Sequence, residues 1–579
     1  MKRRRGAGLV PILGWIRSYD RSWLRGDLIA GVTVAALIVP KNLGYAGIAG
    51  IPLQNGLYAA AAGAILYAIF GTSRQISMGP SSGLAAVAAS AVLVSGITGQ
   101  QDVASFVAGI TLASGILFLI LFVFRMGWIA QFLSRAVVTG FLFGAAIDVI
   151  ISELPKITGT TADGTNSFQE LWSWFGSLGE AHPATLLVGA ASLVVVFGLR
   201  WVAPRIPGAL VLVVGGLVAS WLLQLGSRGV ALVGDVPRGL PSLRLPDLAL
   251  MWENAGTVVI AAVALVMIGF SQTAGDARTF AAKHRYQVDI DQESVAQGMA
   301  NIGSGLFQGM PVSTSLSASS LNDRSGARTG LASLTSGVTV LLTLLVLAPL
   351  FSALPKPVLA ALIIEAVAMG MINIPEMRRL IRVQPFDFWV AIAAIVGTLA
   401  FGVLAGVVIG IGLSLLWLIA VATHPYIATL ARKAGTEVFR DAGEHTGDER
   451  IPGIVVIRMD GGLFFATSDA LEDRIREIIH STPDLTAVVL DCGGINFIDS
   501  QGAAKLDDLV TLAVDSGVTL RLARLKTAVK AVLARDGVLE RIGVDHIHGN
   551  VSTAVRAQQK SPPPPSVDDH PTDTATESQ

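Results

Sequence analysis

Apolar runs separated by short polar joints fill residues 27–423, with approximate centres at Ala35, Ala61, Ala88, Phe118, Phe143, Leu193, Val214, Ala262, Met299, Ser317, Leu341, Ile363, Ala393 and Gly412. The pattern predicts about fourteen helical segments. A full bilayer crossing takes roughly 20 apolar residues. Two stretches are too short or too polar for one: 291–305, and the Ser/Thr-rich 311–322. Near His424 the pattern changes. IVVIRM (454–459), AVVLDC (487–492) and VTLRLAR (518–524) read as strands, and ALEDRIREIIH (470–480), QGAAKLDDLVTLAVDSG (501–517) and TAVKAVLARDG (527–537) as helices. Such alternation predicts one small α/β domain with a largely parallel or mixed sheet. The expected division is a basic N-terminus (1–26), a first transmembrane repeat (27–225), an extracellular or periplasmic loop (226–254), a second repeat (255–423), a linker (424–453), the α/β domain (454–558) and a disordered Pro-rich tail (559–579).

Composition agrees with lipid as the solvent. Only 15% of the residues are charged and the mean hydropathy is +0.61, against about 25% charged residues in soluble domains. Lys plus Arg and Asp plus Glu are both 42, so net charge points to no partner, and the absence of a basic stripe interleaved with aromatics disfavours nucleic acid. Cys492 is the only cysteine, which rules out an intrachain disulfide and a cysteine-based metal site. No metal-ligand cluster, cofactor motif or nucleophile–base set is apparent, so an enzyme is not expected, and without a GxxxxGK[ST] sequence ATP is not expected to drive the protein directly. The N-terminus lacks the apolar core of a cleaved signal. Basic joints at Lys2–Arg25, Arg200 and Arg205, 278–285, and Arg378, Arg379 and Arg382 fall on one side of a fourteen-segment count, while the opposite loop 157–182 has no Lys or Arg. The positive-inside bias then predicts cytoplasmic N- and C-termini in a plasma (inner) membrane.

Two interruptions resemble each other: Ser77-Met78-Gly79-Pro80-Ser81-Ser82-Gly83 and Gln308-Gly309-Met310-Pro311-Val312-Ser313-Thr314-Ser315. Each carries Gly and Pro, then small hydroxyl residues, then a short helix of small side chains. Half-helices starting at Pro80 and Pro311 would present free N–H groups and positive dipole ends. In mid-membrane such ends are tolerable where they line a cavity. One in each half of the chain fits an inverted-repeat transporter with an anion between them. The alternative is that each Gly-Pro merely kinks a packing helix.

DLIAGVTVAALIVPKNLGYA (27–46), IPLQNGLYAA (51–60), GTSRQISMGPSS (71–82), residues 280–332 from FAAKHRYQVDIDQES to SGARTGLA, and FGVLAGVVIGIGLSLL (401–416) resemble the SulP (sulfate permease) anion-transporter family, and the C-terminal domain, with Asp499-Ser500-Gln501-Gly502 at its motif, resembles a STAS domain. The resemblance spans about residues 20–555. It implies an α-helical polytopic membrane protein of two inverted seven-segment repeats, divided into core and gate domains that work by elevator-like alternating access. It implies no cofactor, and commonly a homodimer. The substrate would be a small anion, sulfate first and bicarbonate, chloride or a dicarboxylate otherwise, carried by H⁺ symport or anion exchange. The substrate-binding candidates are Lys41, Tyr45, Ser81, Ser82, Gly83, Gln272, Ser313, Thr314, Ser315 and Ser317.

Departures from the family pattern refine this. Where many members carry Arg, one residue after Ser317, this chain has Ala318; where members commonly carry Gln or Glu, after Val39-Pro40, it has Lys41. Lys41 would supply the charge that Ala318 does not; the alternative is snorkelling or a structural pair. Gln272 stands where members often have an acid, which disfavours a Na⁺ site, and the acid comes one turn later at Asp276. Asp276 would pair with Lys41 or carry a proton; the alternative is a helix-end pair with Arg278 or Lys283. Asp148 and Glu365, deeper in apolar runs, are further proton-coupling candidates or structural partners, and Glu153 is expected at an interface. Ser500 is a candidate phosphorylation site, or else a helix N-cap beside Asp499. A uracil/purine-type permease, which shares the inverted-repeat plan, and a membrane-bound STAS sensor with vestigial transport are the competing readings.

Overall fold

The computed structural model describes residues 10–126, 134–203, 207–234, 236 and 239–560. The basic residues 2–5, Arg205 and nearly all of the Pro-rich tail lie outside the described residues. The chain divides into two compact units, Met1–Ser414 and Leu415–Gln579.

Fourteen helices stand where the apolar pattern put them: α1 Leu24–Ile48, α2 Leu53–Phe70, α3 Ser82–Ser95, α4 Gln100–Val123, α5 Arg135–Thr158, α6 Pro183–Val202, α7 Gly208–Leu223, α8 Ala255–His284, α9 Ile290–Leu306, α10 Leu316–Arg324, α11 Leu331–Val346, α12 Lys356–Gly370, α13 Pro385–Phe401 and α14 Val403–Thr423. Two three-residue strands, β1 Met78–Pro80 and β2 Val312–Thr314, run directly into α3 and α10. Among the described residues eight helices are long and apolar enough to cross a membrane, and four more are shorter and apolar. The remaining two, α9 and α10, are the stretches too polar to face lipid. In α9, Gln292, Glu293, Ser294, Gln297, Asn301 and Ser304 are all buried. That is possible because α9 packs between α2 and α4.

The packing has an internal two-fold symmetry. If each helix number is advanced by seven, and fourteen is subtracted where needed, contacts map onto contacts: α4–α9 onto α2–α11, α1–α11 onto α4–α8, α5–α13 onto α6–α12, and α3–α8 onto α1–α10. The pairs α2–α9, α5–α12 and β1–β2 map onto themselves. A repeat of seven segments enters a membrane from the side opposite to its copy, the inverted arrangement of many transporters. Two groups of helices also separate by packing. One is α1–α4 with α8–α11; the other is α5–α7 with α12 and α13, joined by α14, whose Gly406 and Gly410 lie against Thr398 and Val137. Small residues allow the close approaches within the first group. A Cβ on Gly56 of α2 would lie 2.2 Å from the carbonyl oxygen of Asn42 in α1, so only glycine fits where these backbones cross.

In the second unit β3 Tyr426–Arg432, β4 Phe439–Asp441, β5 Ile454–Asp460, β6 Ala487–Asp491, β7 Thr519–Ala523 and β8 Ile547–His548 form one sheet in the order β4-β3-β5-β6-β7-β8. β3 is antiparallel to both its neighbours, and β5 to β8 are parallel. Ile457, Met459, Leu490 and Leu522 turn to the face covered by α15 Ser468–Ser481, α16 Ser500–Asp515 and α17 Thr527–Asp536. Val456, Val489 and Ala523 turn to the other, covered by α18 Val551–Lys560. The segment 424–453, expected as a linker, instead supplies β3 and β4, because Tyr426–Leu430 finds an antiparallel partner in β5. α18 likewise runs two residues into the expected tail. Asp499, not Ser500, caps α16: its Oδ1 accepts from Gly502 N at 2.7 Å, which leaves Ser500 exposed in the first turn.

Candidate functional site

The two interruptions meet as an antiparallel ribbon, with Met78 opposite Thr314, Gly79 opposite Ser313 and Pro80 opposite Val312. Irregular backbone inside a membrane domain needs partners, and the neighbouring helices provide them. Asn301 of α9 acts like a third strand: its Nδ2 donates to Val312 O at 3.0 Å and its Oδ1 accepts from Val312 N at 3.0 Å. Ser304 Oγ donates to Met310 O (2.6 Å), Asn322 Nδ2 to Gln75 O (3.0 Å) and Ser333 Oγ to Ile76 O (2.9 Å). Ser77 N donates to Ser319 Oγ at 2.9 Å and Ser315 N to Ser77 O at 3.1 Å.

This pairing moves the helix starts away from the prolines. α3 begins at Ser82 and α10 at Leu316, so Pro80 ends a strand and Pro311 precedes one. The equivalent positions are the N-caps: Ser81 Oγ accepts from Leu84 N (3.4 Å) and Ser315 Oγ from Ala318 N (3.4 Å). Pro80 therefore corresponds to Thr314, three residues beyond the proline it resembles in sequence. The physical reason is the strand ladder, which holds 78–80 and 312–314 extended before either helix can start.

On the α10 side of the ribbon lies a narrow cavity of ≈ 20 Å³, about the room one water centre needs. Lys41, Asn42 and Tyr45 of α1 line it, with Ser77–Pro80 and with Ser315, Ser317 and Ala318. The two positions that depart from the family pattern, Lys41 and Ala318, thus share one cavity. Among the described residues the Lys41 ammonium makes no hydrogen bond or ion pair, and Asn42 Nδ2 is buried without a partner. Ser315 Oγ and Ser317 Oγ are 3.3 Å apart. The wall is therefore rich in donors, and unpaired buried donors are costly.

The other expected site residues are placed differently. Ser81, Ser82 and Gly83 lie beyond the cavity; Ser82 sits beside the Tyr45 hydroxyl, and a Cβ on Gly83 would lie 2.8 Å from Leu142. Ser313 Oγ donates to Gln272 Oε1 (2.8 Å) and Thr314 Oγ1 to Asp276 Oδ2 (2.8 Å). These hydroxyl protons fasten β2 to α8, and neither residue lines the cavity. Asp276 pairs with neither Lys41, Arg278 nor Lys283; Lys283 instead pairs with Asp323 at 2.5 Å. Glu365 Oε1 accepts from Arg200 Nη1 at 3.2 Å. Asp148 accepts from Ser167 Oγ. Glu153 is buried in the protein and pairs with Lys156 at 2.6 Å.

Sequence reasoning missed Asn42, Gln297, Asn301 and two buried carboxylates. Glu293 accepts from Tyr67 Oη (2.6 Å), Thr72 N (2.8 Å), Thr72 Oγ1 (2.5 Å) and Ser73 N (3.3 Å), and so pins the loop that leads into β1. Asp27 accepts from Arg328 N (2.6 Å), Thr329 N (3.2 Å) and Thr329 Oγ1 (2.7 Å). A signal for three of them was present: Glu293, Gln297 and Asn301 recur every four residues, one polar stripe along α9.

Residues 24–394 match the sulfate permease family and residues 448–554 match the STAS domain. A probable sulfate transporter of Mycobacterium tuberculosis is 33% identical, over 95% of this chain and 98% of its own. The chloroplastic sulfate transporter 4.1 of Arabidopsis thaliana is 31% identical, over 95% of this chain and 82% of its own. Murine Solute Carrier 26 family member A9, an anion transporter solved in the inward-facing state, superposes with a TM-score of 0.87 at 22% identity, covering 97% of both chains. The transmembrane domain of the cyanobacterial bicarbonate transporter BicA gives 0.60 at 22% identity, covering 68% of this chain and 99% of its own. These structural likenesses show the fold. With the inverted packing, the crossed ribbon and the C-terminal sheet, the matches establish that this chain belongs to the sulfate permease family of membrane transporters, in its STAS-bearing form, and is not an enzyme.

Proposed function

We propose that the protein is a secondary active transporter of a small anion, sulfate first, and that the anion binds in the cavity between α1 and α10. One observation carries this reading: two donors on adjacent residues, the Lys41 ammonium and the Asn42 amide, have no hydrogen-bond or ion-pair partner among the described residues, and both residues line the same cavity as Ala318, Ser315 and Ser317. Lys41 supplies the fixed charge that Arg at position 318 supplies in many members. A tetrahedral oxyanion is larger than ≈ 20 Å³, so α1 and α10 part to admit it. The relatives named as sulfate transporters favour sulfate; bicarbonate or a dicarboxylate is the substrate otherwise.

The two packing groups support an elevator movement, with α1–α4 and α8–α11 carrying the site past α5–α7 and α12–α14. Asp276 is the coupling acid best placed for H⁺ symport, because it holds Thr314, the residue before the α10 cap. Glu365 and Asp148, bonded to Arg200 and Ser167, are structural in this arrangement. The protein sits in the plasma membrane with both termini cytoplasmic, as the basic joints imply, and works as a homodimer, as the family resemblance implies. Uptake of radiolabelled sulfate and bicarbonate into proteoliposomes, with and without pH and Na⁺ gradients, tests the reading. Sulfate uptake that an inward H⁺ gradient stimulates in wild type but not in Asp276→Asn is the expected result. No flux of any anion overturns the transport reading in favour of a STAS sensor.

A further inference from the structure

A second cavity, of ≈ 290 Å³, shares no residue with the anion site; it lies between the segment Pro11–Trp23 that precedes α1 and the loops 71–74, 287–289 and 329–330. The segment folds as a short helix, Ile12–Arg17, and a single turn, Arg21–Trp23. Leu13 and Ile16 point out of the protein, 59% and 54% exposed. Trp15 turns in: a Cβ on Gly330 would lie 3.3 Å from its Nε1. Tyr19 stands between Trp15 and Trp23, with ring centroids 6.3 and 6.0 Å away, and its hydroxyl donates to Asp27 Oδ2 at 3.2 Å. Exposed aliphatics beside tryptophans on a short basic segment mark chain lying in the membrane–water interface. The donors on the cavity wall are uncommitted. Arg74 stands over the Tyr286 ring, 5.5 Å from its centroid. Among the described residues its guanidinium makes no hydrogen bond or ion pair, and the indole N–H groups of Trp15 and Trp23 make no hydrogen bond. The acid on the wall, Asp289, is engaged as the cap of α9: its Oδ1 accepts from Asp291 N at 3.0 Å and from Gln292 N at 3.2 Å. Arg17, Arg21 and Arg25 stand exposed on the same segment.

We propose that this cavity holds the headgroup of an anionic phospholipid, with Arg74 on the phosphate and the two indole N–H groups on its remaining oxygens. A guanidinium meets phosphate oxygens in paired, charge-assisted hydrogen bonds, and a basic segment beside a span draws anionic lipid. The volume is at the small end of ordinary ligand sites; it takes a glycerophosphate group and not acyl chains, which leave past Leu13 and Ile16 into the bilayer. A free phosphate ester offers the same charge, but it has no use for the apolar lip of the cavity. The site also touches the transport machinery. Thr72 and Ser73, on the same wall, donate to Glu293, and from Arg74 the chain runs through Gln75 and Ile76 into β1. A bound headgroup therefore braces the loop that leads into the ribbon. The proposal does not depend on the reading of the α1/α10 cavity as the anion site.

The test titrates the full chain, purified in detergent, with palmitoyl-oleoyl phosphatidylglycerol and reads bound lipid by native mass spectrometry. Phosphatidylcholine, inorganic phosphate and glycerol phosphate are the comparison ligands. Wild type is expected to take phosphatidylglycerol in preference to all three. Arg74→Gln loses a charge-assisted bond, and its Kd is expected to rise about 10-fold or more; Arg74→Lys keeps the charge and most of the affinity. Arg21→Gln removes a charge from the same segment without touching the cavity and is expected to change little. A second readout is hydrogen exchange: backbone amides of 72–77 are expected to slow when phosphatidylglycerol is supplied to wild type, and not in Arg74→Gln. Equal lipid binding by wild type and Arg74→Gln, or an equal loss in Arg21→Gln, overturns the proposal. So does phosphatidylcholine binding as tightly as phosphatidylglycerol, or binding of phosphate or glycerol phosphate without binding of lipid.

Discussion

Replacing Lys41 by Gln removes the one cation in the cavity and keeps a hydrogen-bond donor of similar length. A hydrogen bond to a charged group is worth about 1.5–3 kcal/mol. The full Coulomb attraction of unit charges 4 Å apart reaches about 4 kcal/mol at an effective dielectric constant of 20. Lys41 is half-buried and its head makes no hydrogen bond or ion pair among the described residues, so the lower range applies. At 1.4 kcal/mol per decade, sulfate affinity falls about 10- to 150-fold. Asn42, Ser315 and Ser317 remain, so binding weakens rather than disappears. Equilibrium binding of radiolabelled sulfate to the purified protein measures the change, with uptake as the companion readout. Lys41→Arg keeps the charge and most of the affinity. The decisive variant is the double Lys41→Gln with Ala318→Arg: residue 318 lines the same cavity, so a guanidinium introduced there restores much of the loss. Wild-type affinity and rate in Lys41→Gln, or no rescue from position 318 in a protein that still folds, refutes the reasoning.

Asn301→Ala removes both bonds to the buried amide of Val312; at about 1–3 kcal/mol for each group left unsatisfied, a clear fall in Tm is expected together with loss of uptake, and an unchanged melting curve would contradict the role given to Asn301. In the STAS domain a Cβ at Gly502 would stand 2.3 Å from Leu463 O, so Gly502→Val costs about 1–3 kcal/mol of overpacking and should make this domain the first site of limited proteolysis. Burial, with the neighbouring Asp491 carboxylate, pushes the Cys492 thiol up to about 12. At pH 8 roughly one molecule in 10⁴ is then the thiolate; maleimide labelling followed by mass should be negligible in the native protein and complete in denaturant.

The helix count was legible because apolar runs of membrane length announce themselves, and every segment centre from Ala35 to Gly412 falls inside a helix of the fold. The relation of the two interruptions was legible only in outline. Gly-Pro followed by hydroxyls marked both places, yet the prolines are not equivalent; the N-caps Ser81 and Ser315 are. The three-residue offset comes from the strand ladder between 78–80 and 312–314, a pairing between segments more than 230 positions apart that no local pattern encodes. Of the hydroxyl residues around Ser313, Ser315 and Ser317 line the cavity and Ser313 and Thr314 do not. Small hydroxyls can bind an anion or fasten a strand, and their protons do one or the other; Ser313 and Thr314 spend theirs on Gln272 and Asp276. The polarity of α9 was visible, and its reason was not, because Glu293 meets Tyr67 and Thr72 across more than 220 residues of chain.

That division of labour bears on how the site can move. The hydrogen bonds that fix the ribbon run to Gln272 and Asp276 on α8, Asn301 and Ser304 on α9, Ser319 and Asn322 on α10, and Ser333 on α11. The cavity wall opposite comes from α1. All five helices belong to one packing group, and none of these bonds goes to α5, α6, α7, α12 or α13. A displacement of one group past the other therefore breaks no bond that shapes the ribbon. The groups meet mainly through close side-chain packing, as at Gly44 and Ile363, together with a buried hydrogen bond from Leu404 N of α14 to Ser90 Oγ of α3 at 3.0 Å. An arrangement with rigid polar fastening inside a group and mainly side-chain packing between groups is what a carrier needs if it is to move its site intact.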